Sequence, residues 1–136
     1  MINVGIIGMG RSGWELHAAP LSKFPEYKLV AICDQSEKRR NEASAAFGAQ
    51  AYTQWQQLVS DPQIQLVVVS TPSHYHVEPT LAALEAGKHV LVEKPMAVTL
   101  ADAEKMVSAA EKAGNAPGHW ENCPVFGQQP VGLHHR

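Results

Sequence analysis

Residues 5–13 read "GIIGMGRSG", a G-x-G-x-x-G carried by Gly8, Gly10 and Gly13 close to the first methionine. Glycine patterns of this kind arise by chance, so what surrounds them decides the fold. Upstream, "INVGIIG" (2–8) is a nearly continuous β-branched run, as expected of a strand buried on both faces of a parallel sheet. Downstream, from about Ser12, the pattern becomes helical until Pro20 and "KFPEY" (23–27) break it. "YKLVAICD" (27–34) then reads as a second buried strand, ending on Asp34 about 20 residues beyond the glycines. A glycine loop that follows a strand, opens a helix and precedes such an acidic strand end is the context of a dinucleotide fingerprint. The plain alternative, a strand–turn–helix whose glycines only satisfy backbone geometry, does not explain the joint spacing.

The rest of the chain repeats the alternation. "SEKRRNEASAAFG" (36–48) is a helix with Ser36 as N-cap, Ala43, Ala46 and Phe47 inward, and Gly48 as its stop. "AYTQWQQLVSD" (51–61) is a short strand followed by a short helix, and "IQLVVVSTP" (64–72) is a strand ended by Pro72. "HVEPTLAALEAG" (76–87) is a helix with Pro79 near its first turn and Gly87 at its end. "KHVLVEKP" (88–95) is the next strand, and Thr99 caps the helix "LADAEKMVSAAEKAG" (100–114). Strands joined by helices call for right-handed crossovers. The fold class is therefore α/β, a doubly wound, mostly parallel, Rossmann-like sheet. Ligands of such sheets sit beyond the carboxyl ends of the strands. Here four clear strands end in "GMGRSG", "CDQS", "STPSHYH" and "EKPM".

Composition narrows the function classes. A chain of 136 residues suits one domain, and a net charge of -2 gives no electrostatic footprint for nucleic acid. No apolar run reaches the roughly 20 residues of a membrane span. "MINVGIIG" lacks a basic segment and reads as a strand, not a signal peptide. Cys33 and Cys123 are the two cysteines, so a reducing cytoplasm is the expected location. His74 and His76 with these cysteines make no recognisable ligand set, and no metal is expected.

The glycine loop and Asp34 then take complementary roles. Gly8 permits the tight turn, Gly10 lets the backbone approach a pyrophosphate, and Gly13 lets helix and strand pack closely. With Arg11 and Ser12 they form the expected phosphate loop, where the helix N-terminus offers N–H groups and partial positive charge. Asp34 accepts from the adenosine ribose hydroxyls. A carboxylate facing a 2′-phosphate costs up to about 4 kcal/mol per charge pair at 4 Å and an effective dielectric of 20, before screening. NAD is therefore favoured, with NADP still open because Arg39 and Arg40 lie just beyond Asp34. On a solvated helix these arginines read as surface charges.

At this point the chain resembles the N-terminal half of the Gfo/Idh/MocA oxidoreductases, the glucose–fructose oxidoreductase and inositol dehydrogenase group. The resemblance runs from Ile2 to about Gly114. It rests on "VGIIGMGRSG", "VAICD" and "VVVSTPSHYHVEPTLAALEAGKHVLVEKPMAVTLADAEKM", above all on Glu93-Lys94-Pro95. It implies a Rossmann domain followed by a larger, mostly antiparallel α/β domain that supplies the substrate pocket and the oligomer interface, hence a homo-oligomer. It also implies NAD(P)-dependent oxidation or reduction of a sugar, inositol or related polyol. Carried over, Lys94 lies near the nicotinamide, binds the substrate hydroxyl and helps move its proton, as an ammonium near a developing alkoxide can. Glu93 orients the backbone or pairs with Lys94, and the resemblance allows a cis bond before Pro95. Ser70, Thr71 and Pro72 come within backbone contact of the cofactor, and His76 matches a family histidine. Read alone, "EKP" is an exposed charged turn, and His74 and His76 are capping residues at a helix start. His17 is left unassigned, and Trp14 reads as a packing residue.

The domain expected from this is 1–114, with 115–136 an atypical tail. "NAPGHWENCPVFGQQPVGLHHR" (115–136) carries Pro117, Pro124 and Pro130, which disfavour the next central strand. A truncated or frameshifted dehydrogenase and a naturally short protein both fit, and the abrupt change of character favours the first. Two functions follow: an oxidoreductase of the Gfo/Idh/MocA type, or a dinucleotide-binding module without turnover, whether remnant, sensor or interaction protein.

Overall fold

The computed structural model describes residues 1–113, so the expectations for Gly114 and the tail 115–136 lie outside the described residues. Five parallel strands form one sheet: β1 (Ile2–Ile7), β2 (Tyr27–Cys33), β3 (Gln50–Tyr52), β4 (Leu66–Val69) and β5 (His89–Val92). Their spatial order is β3-β2-β1-β4-β5, and every pair is parallel. The expected doubly wound sheet is what forms.

Helix α1 begins as a π-helix over Ser12–Ala18 and closes with an α-helical turn, Ala19–Leu21. The others are α2 (Glu37–Phe47), α3 (Trp55–Val59), α4 (Val77–Glu85) and α5 (Leu100–Lys112). Local signals place their ends. The Ser36 side chain accepts from the Arg39 N–H and that of Thr99 from the Asp102 N–H, while Gly48 closes α2 at φ +65°. Pro20 does not end α1, which runs on to Leu21. The Ala19 N–H bonds to the Trp14 carbonyl, five residues back. That wide register avoids the clash a proline ring makes with the carbonyl four residues back.

Two cores flank the sheet. On one face Ile7, Val67, Val69, Val90 and Val92 pack with Leu58 of α3, Leu84 of α4 and Met106 of α5. On the other, Val4, Ile6, Ile32, Val68 and Leu91 pack with Ala18 of α1 and Ala43 of α2. Alternate residues of β1, β4 and β5 thus feed opposite cores, and each fully buried Val or Ile contributes about 1.5–3 kcal/mol. In β2 a bulge at Val30 interrupts the alternation: Val4 pairs Leu29 and Gly5 pairs Ala31. Val30 and Ala31 consequently serve the same core. Ala46, expected inward, is exposed, because Phe47 turns instead against Trp14, with ring centroids 5.0 Å apart.

Candidate functional site

The four loops expected to carry chemistry start from one continuous row of backbone hydrogen bonds. The Asp34 N–H donates to Tyr52 O (3.3 Å), Gly8 N–H to Cys33 O (2.8 Å), Ser70 N–H to Ile7 O (2.9 Å) and Glu93 N–H to Val69 O (2.9 Å). Each of these residues is the last rung at the carboxyl end of its strand. Across β2, β1, β4 and β5 the row from Asp34 to Glu93 spans about 14 Å, at roughly 4.8 Å per strand.

The glycine loop is built by close approach. Gly8 has φ +95°, and a Cβ there would lie 2.8 Å from the backbone carbonyl of Ser70. A Cβ on Gly13 would stand 1.9 Å from Gly8 O, so only glycine lets α1 sit this close to β1. Gly10 differs: the nearest atom to a Cβ would be an Arg39 guanidinium nitrogen at 3.9 Å, leaving open space above the loop. Ser12 opens α1, and Arg11 points to solvent, pairing with Glu15 at 3.1 Å.

Asp34 closes the loop from the β2 side. Its Oδ2 accepts from the Met9 N–H at 2.9 Å and its Oδ1 from the Ser36 N–H at 2.8 Å. The arginines are more engaged than a solvated face implies. Arg39 Nη1 lies 3.8 Å from Asp34 Oδ2, and Arg40 Nη1 donates to the carbonyls of Asp34 and Gln35. Burial, with the Asp34 charge adding to it and Arg40 opposing, pushes the neighbouring Cys33 thiol up to about 11.

On β4, Ser70 Oγ donates to Gly8 O at 2.7 Å, locking the two loops together. Thr71 Oγ1 is buried and has no hydrogen-bond partner among the described residues. Pro72 is exposed and leads into a 3₁₀ turn, Ser73–Tyr75. His76 is only 1 % exposed, and both ring nitrogens meet carbonyl oxygens: Nε2 at Thr71 O (2.6 Å), Nδ1 at Pro95 O (2.9 Å) and Met96 O (3.3 Å). It braces the β4 loop against the turn after β5. His74 is exposed and stacks on Tyr75.

That turn contains Glu93, Lys94 and Pro95, with a cis bond between Lys94 and Pro95. Glu93 is buried, and its Oε2 accepts from the Lys94 N–H at 3.1 Å. Its partner is not the Lys94 ammonium. Its Oε1 accepts from His17 Nε2 of α1 at 2.9 Å, and His17 is 3 % exposed. Lys94 itself is exposed. Sequence reasoning missed His17 because nothing local marks it; its partner lies 76 residues away.

The residues present suit a dinucleotide: the open space over Gly10 admits a pyrophosphate, and the orphaned Thr71 hydroxyl awaits a partner farther along the same row. A separate groove of about 580 Å³, lined by Tyr27, Lys28, Phe47 and Gly48, carries none of these groups.

A model of the Gfo/Idh/MocA oxidoreductase family, its NAD-binding Rossmann fold, matches residues 2–118. This chain belongs to that family. Among similar proteins, the scyllo-inositol 2-dehydrogenase (NADP+) of Bacillus subtilis is 39% identical over 114 residues, covering 83% of this chain and 31% of its own length. The myo-inositol 2-dehydrogenase of Thermotoga maritima is 35% identical over 113 residues, covering 82% and 34%. The crystal structure of a Synechocystis biliverdin reductase with biliverdin and NADP+ superposes with a TM-score of 0.79 at 34% identity, over 83% of this chain and 35% of that one. The chain therefore spans about a third of the length of the relatives it matches. Solved structures similar to this chain hold NADP+ or NAD, and the fold here is an NAD(P)-binding one. Among the described residues, no helix is long and apolar enough to cross a membrane.

Proposed function

We propose that this chain is the cofactor-binding half of an NAD(P)-dependent oxidoreductase acting on a sugar, inositol or related polyol. The observation that carries this reading is the row Asp34, Gly8, Ser70, Glu93 at the strand ends, with Lys94 next to its last member. Asp34 holds the adenosine ribose, and Gly8, Gly10, Arg11, Ser12 and Gly13 surround the pyrophosphate. Ser70, Thr71, Pro72 and, from beneath, His76 shape the nicotinamide side. The bound nicotinamide supplies the hydride acceptor or donor. Lys94 binds the substrate hydroxyl and holds or moves its proton, and Glu93 fixes the backbone from which Lys94 projects. The Asp34 carboxylate makes NAD the preferred cofactor.

Cofactor binding is what this reading assigns to the described residues. Titrating NADH against tryptophan fluorescence tests binding, and a polyol panel assayed for NADH production tests catalysis. Binding with turnover establishes the oxidoreductase, binding without turnover a dinucleotide-binding module, and absence of binding overturns both.

A further inference from the structure

We propose that His17 is a positioning residue for Lys94, acting through Glu93, and that this buried pair couples the phosphate-loop helix to the lysine-bearing turn. The inference rests on the dinucleotide-binding reading. Its starting point is the division of labour within one carboxylate: Oε1 accepts from His17 on α1, and Oε2 accepts from the backbone N–H of Lys94. The Glu93 side chain is thereby a bridge between the helix that opens at the phosphate loop and the residue beside the chemistry.

Stability does not explain the bridge. Burying a carboxylate is costly, and apolar replacements of buried ion pairs are often neutral or stabilising. Geometry does explain it. Lys94 is exposed, and among the described residues no acid pairs with its ammonium, so its backbone decides where it projects from. Among the described residues, contacts from three residues fix that backbone. The Glu93 N–H is held by Val69 of β4, the carbonyls of Pro95 and Met96 are held by His76, and the Glu93 carboxylate is held by His17. The first two tie the turn to β4 and its loop. Of these, the His17 contact alone reaches α1, the helix that follows β1, the strand on the far side of β4 from β5. A shift of α1 when a pyrophosphate engages its first residues is transmitted through that contact to Lys94.

The test uses the full 136-residue chain and three substitutions. His17→Leu removes the donor, His17→Gln keeps an N–H, and Glu93→Gln leaves one acceptor oxygen for two donors. Each protein is labelled with acetic anhydride with and without NADH, and acetylation of Lys94 is read by peptide mass spectrometry, with Lys28, exposed at the amino end of β2, as a remote control. In the parent chain NADH changes the Lys94 rate about fivefold or more. In His17→Leu and Glu93→Gln that response falls below about twofold, and in His17→Leu the NADH dissociation constant stays within about threefold. His17→Gln restores the response, which a merely structural role for His17 would not produce. A parent-like response in folded His17→Leu or Glu93→Gln overturns the proposal, as does a parent chain that binds NADH with no change at Lys94. A parent chain that binds no NADH overturns the dinucleotide reading itself. If His17→Leu does not fold, Glu93→Gln and His17→Gln carry the decision.

Discussion

Gly13 lies so close to Gly8 that a Cβ on Gly13 would stand 1.9 Å from the Gly8 carbonyl oxygen, while Ser70 Oγ donates to that same oxygen at 2.7 Å. The glycine loop, the start of α1 and the end of β4 thus meet on one atom. Gly13→Ala must move backbone, and the expected loss is about 2–3 kcal/mol of stability, as for overpacking of a tight site. Gly10→Ala meets nothing closer than 3.9 Å and is expected to melt within a few degrees of the parent. Its added methyl fills the space above the loop, so NADH binding is lost all the same. Thermal melts with NADH titrations check the contrast; normal NADH affinity in Gly10→Ala would remove the pyrophosphate from this loop.

Thr71→Val separates folding from binding in the opposite sense. Among the described residues the buried Thr71 hydroxyl has no partner, and replacing such a group by an isosteric apolar one is neutral or stabilising by up to about 1 kcal/mol. The cofactor loses the hydroxyl, so the variant melts no lower than the parent yet binds NADH more weakly. Denaturant midpoints and fluorescence titrations measure both.

Asp34→Ala acts on selectivity and on stability. Loss of the carboxylate removes repulsion from a 2′-phosphate, and the preference for NAD over NADP falls about tenfold, equivalent to roughly 1.4 kcal/mol. The variant also strips acceptors from the Met9 and Ser36 N–H groups, costing about 1–3 kcal/mol. An unchanged ratio of NAD and NADP dissociation constants would remove Asp34 from the ribose.

Cys33 predicts a pH dependence. Burial raises its thiol from an ordinary 9.0 to about 11. The unfolded chain therefore releases this proton before the folded one does, and the associated stability is complete below pH 9.0 and lost as pH rises towards about 11. Cys33→Ala flattens the fall in urea midpoint across that window. The same burial leaves Cys33 unreactive to iodoacetamide at pH 8 in the folded chain.

The outer edge of β5 predicts association. Among the described residues β5 pairs only with β4, and Val98, Leu100 and Val107 expose apolar surface nearby in sequence. Unpaired edges and apolar patches are association sites, so light scattering is expected to give a mass above the monomer. A monodisperse monomer would sink this expectation.

The features legible in the residues alone are those that local chemistry controls. Unbroken β-branched runs marked the buried strands, Ser36 and Thr99 marked helix starts, and Gly48 marked a stop, because caps and periodicity act within a few residues. The order of those elements sufficed to place "GMGRSG", Asp34, "STPSHYH" and "EKP" at strand ends. Only the tertiary structure decided how those ends engage one another. His17 finds Glu93 across 76 residues, and His76 reaches the carbonyls of Pro95 and Met96. Arg39 and Arg40 fold back on the Asp34 loop, and the bulge at Val30 resets the register of β2. These contacts join residues on elements far apart in sequence, and strand order, register and burial create them. No periodicity or cap carries that information, because each partner's environment exists only once the sheet has closed around it.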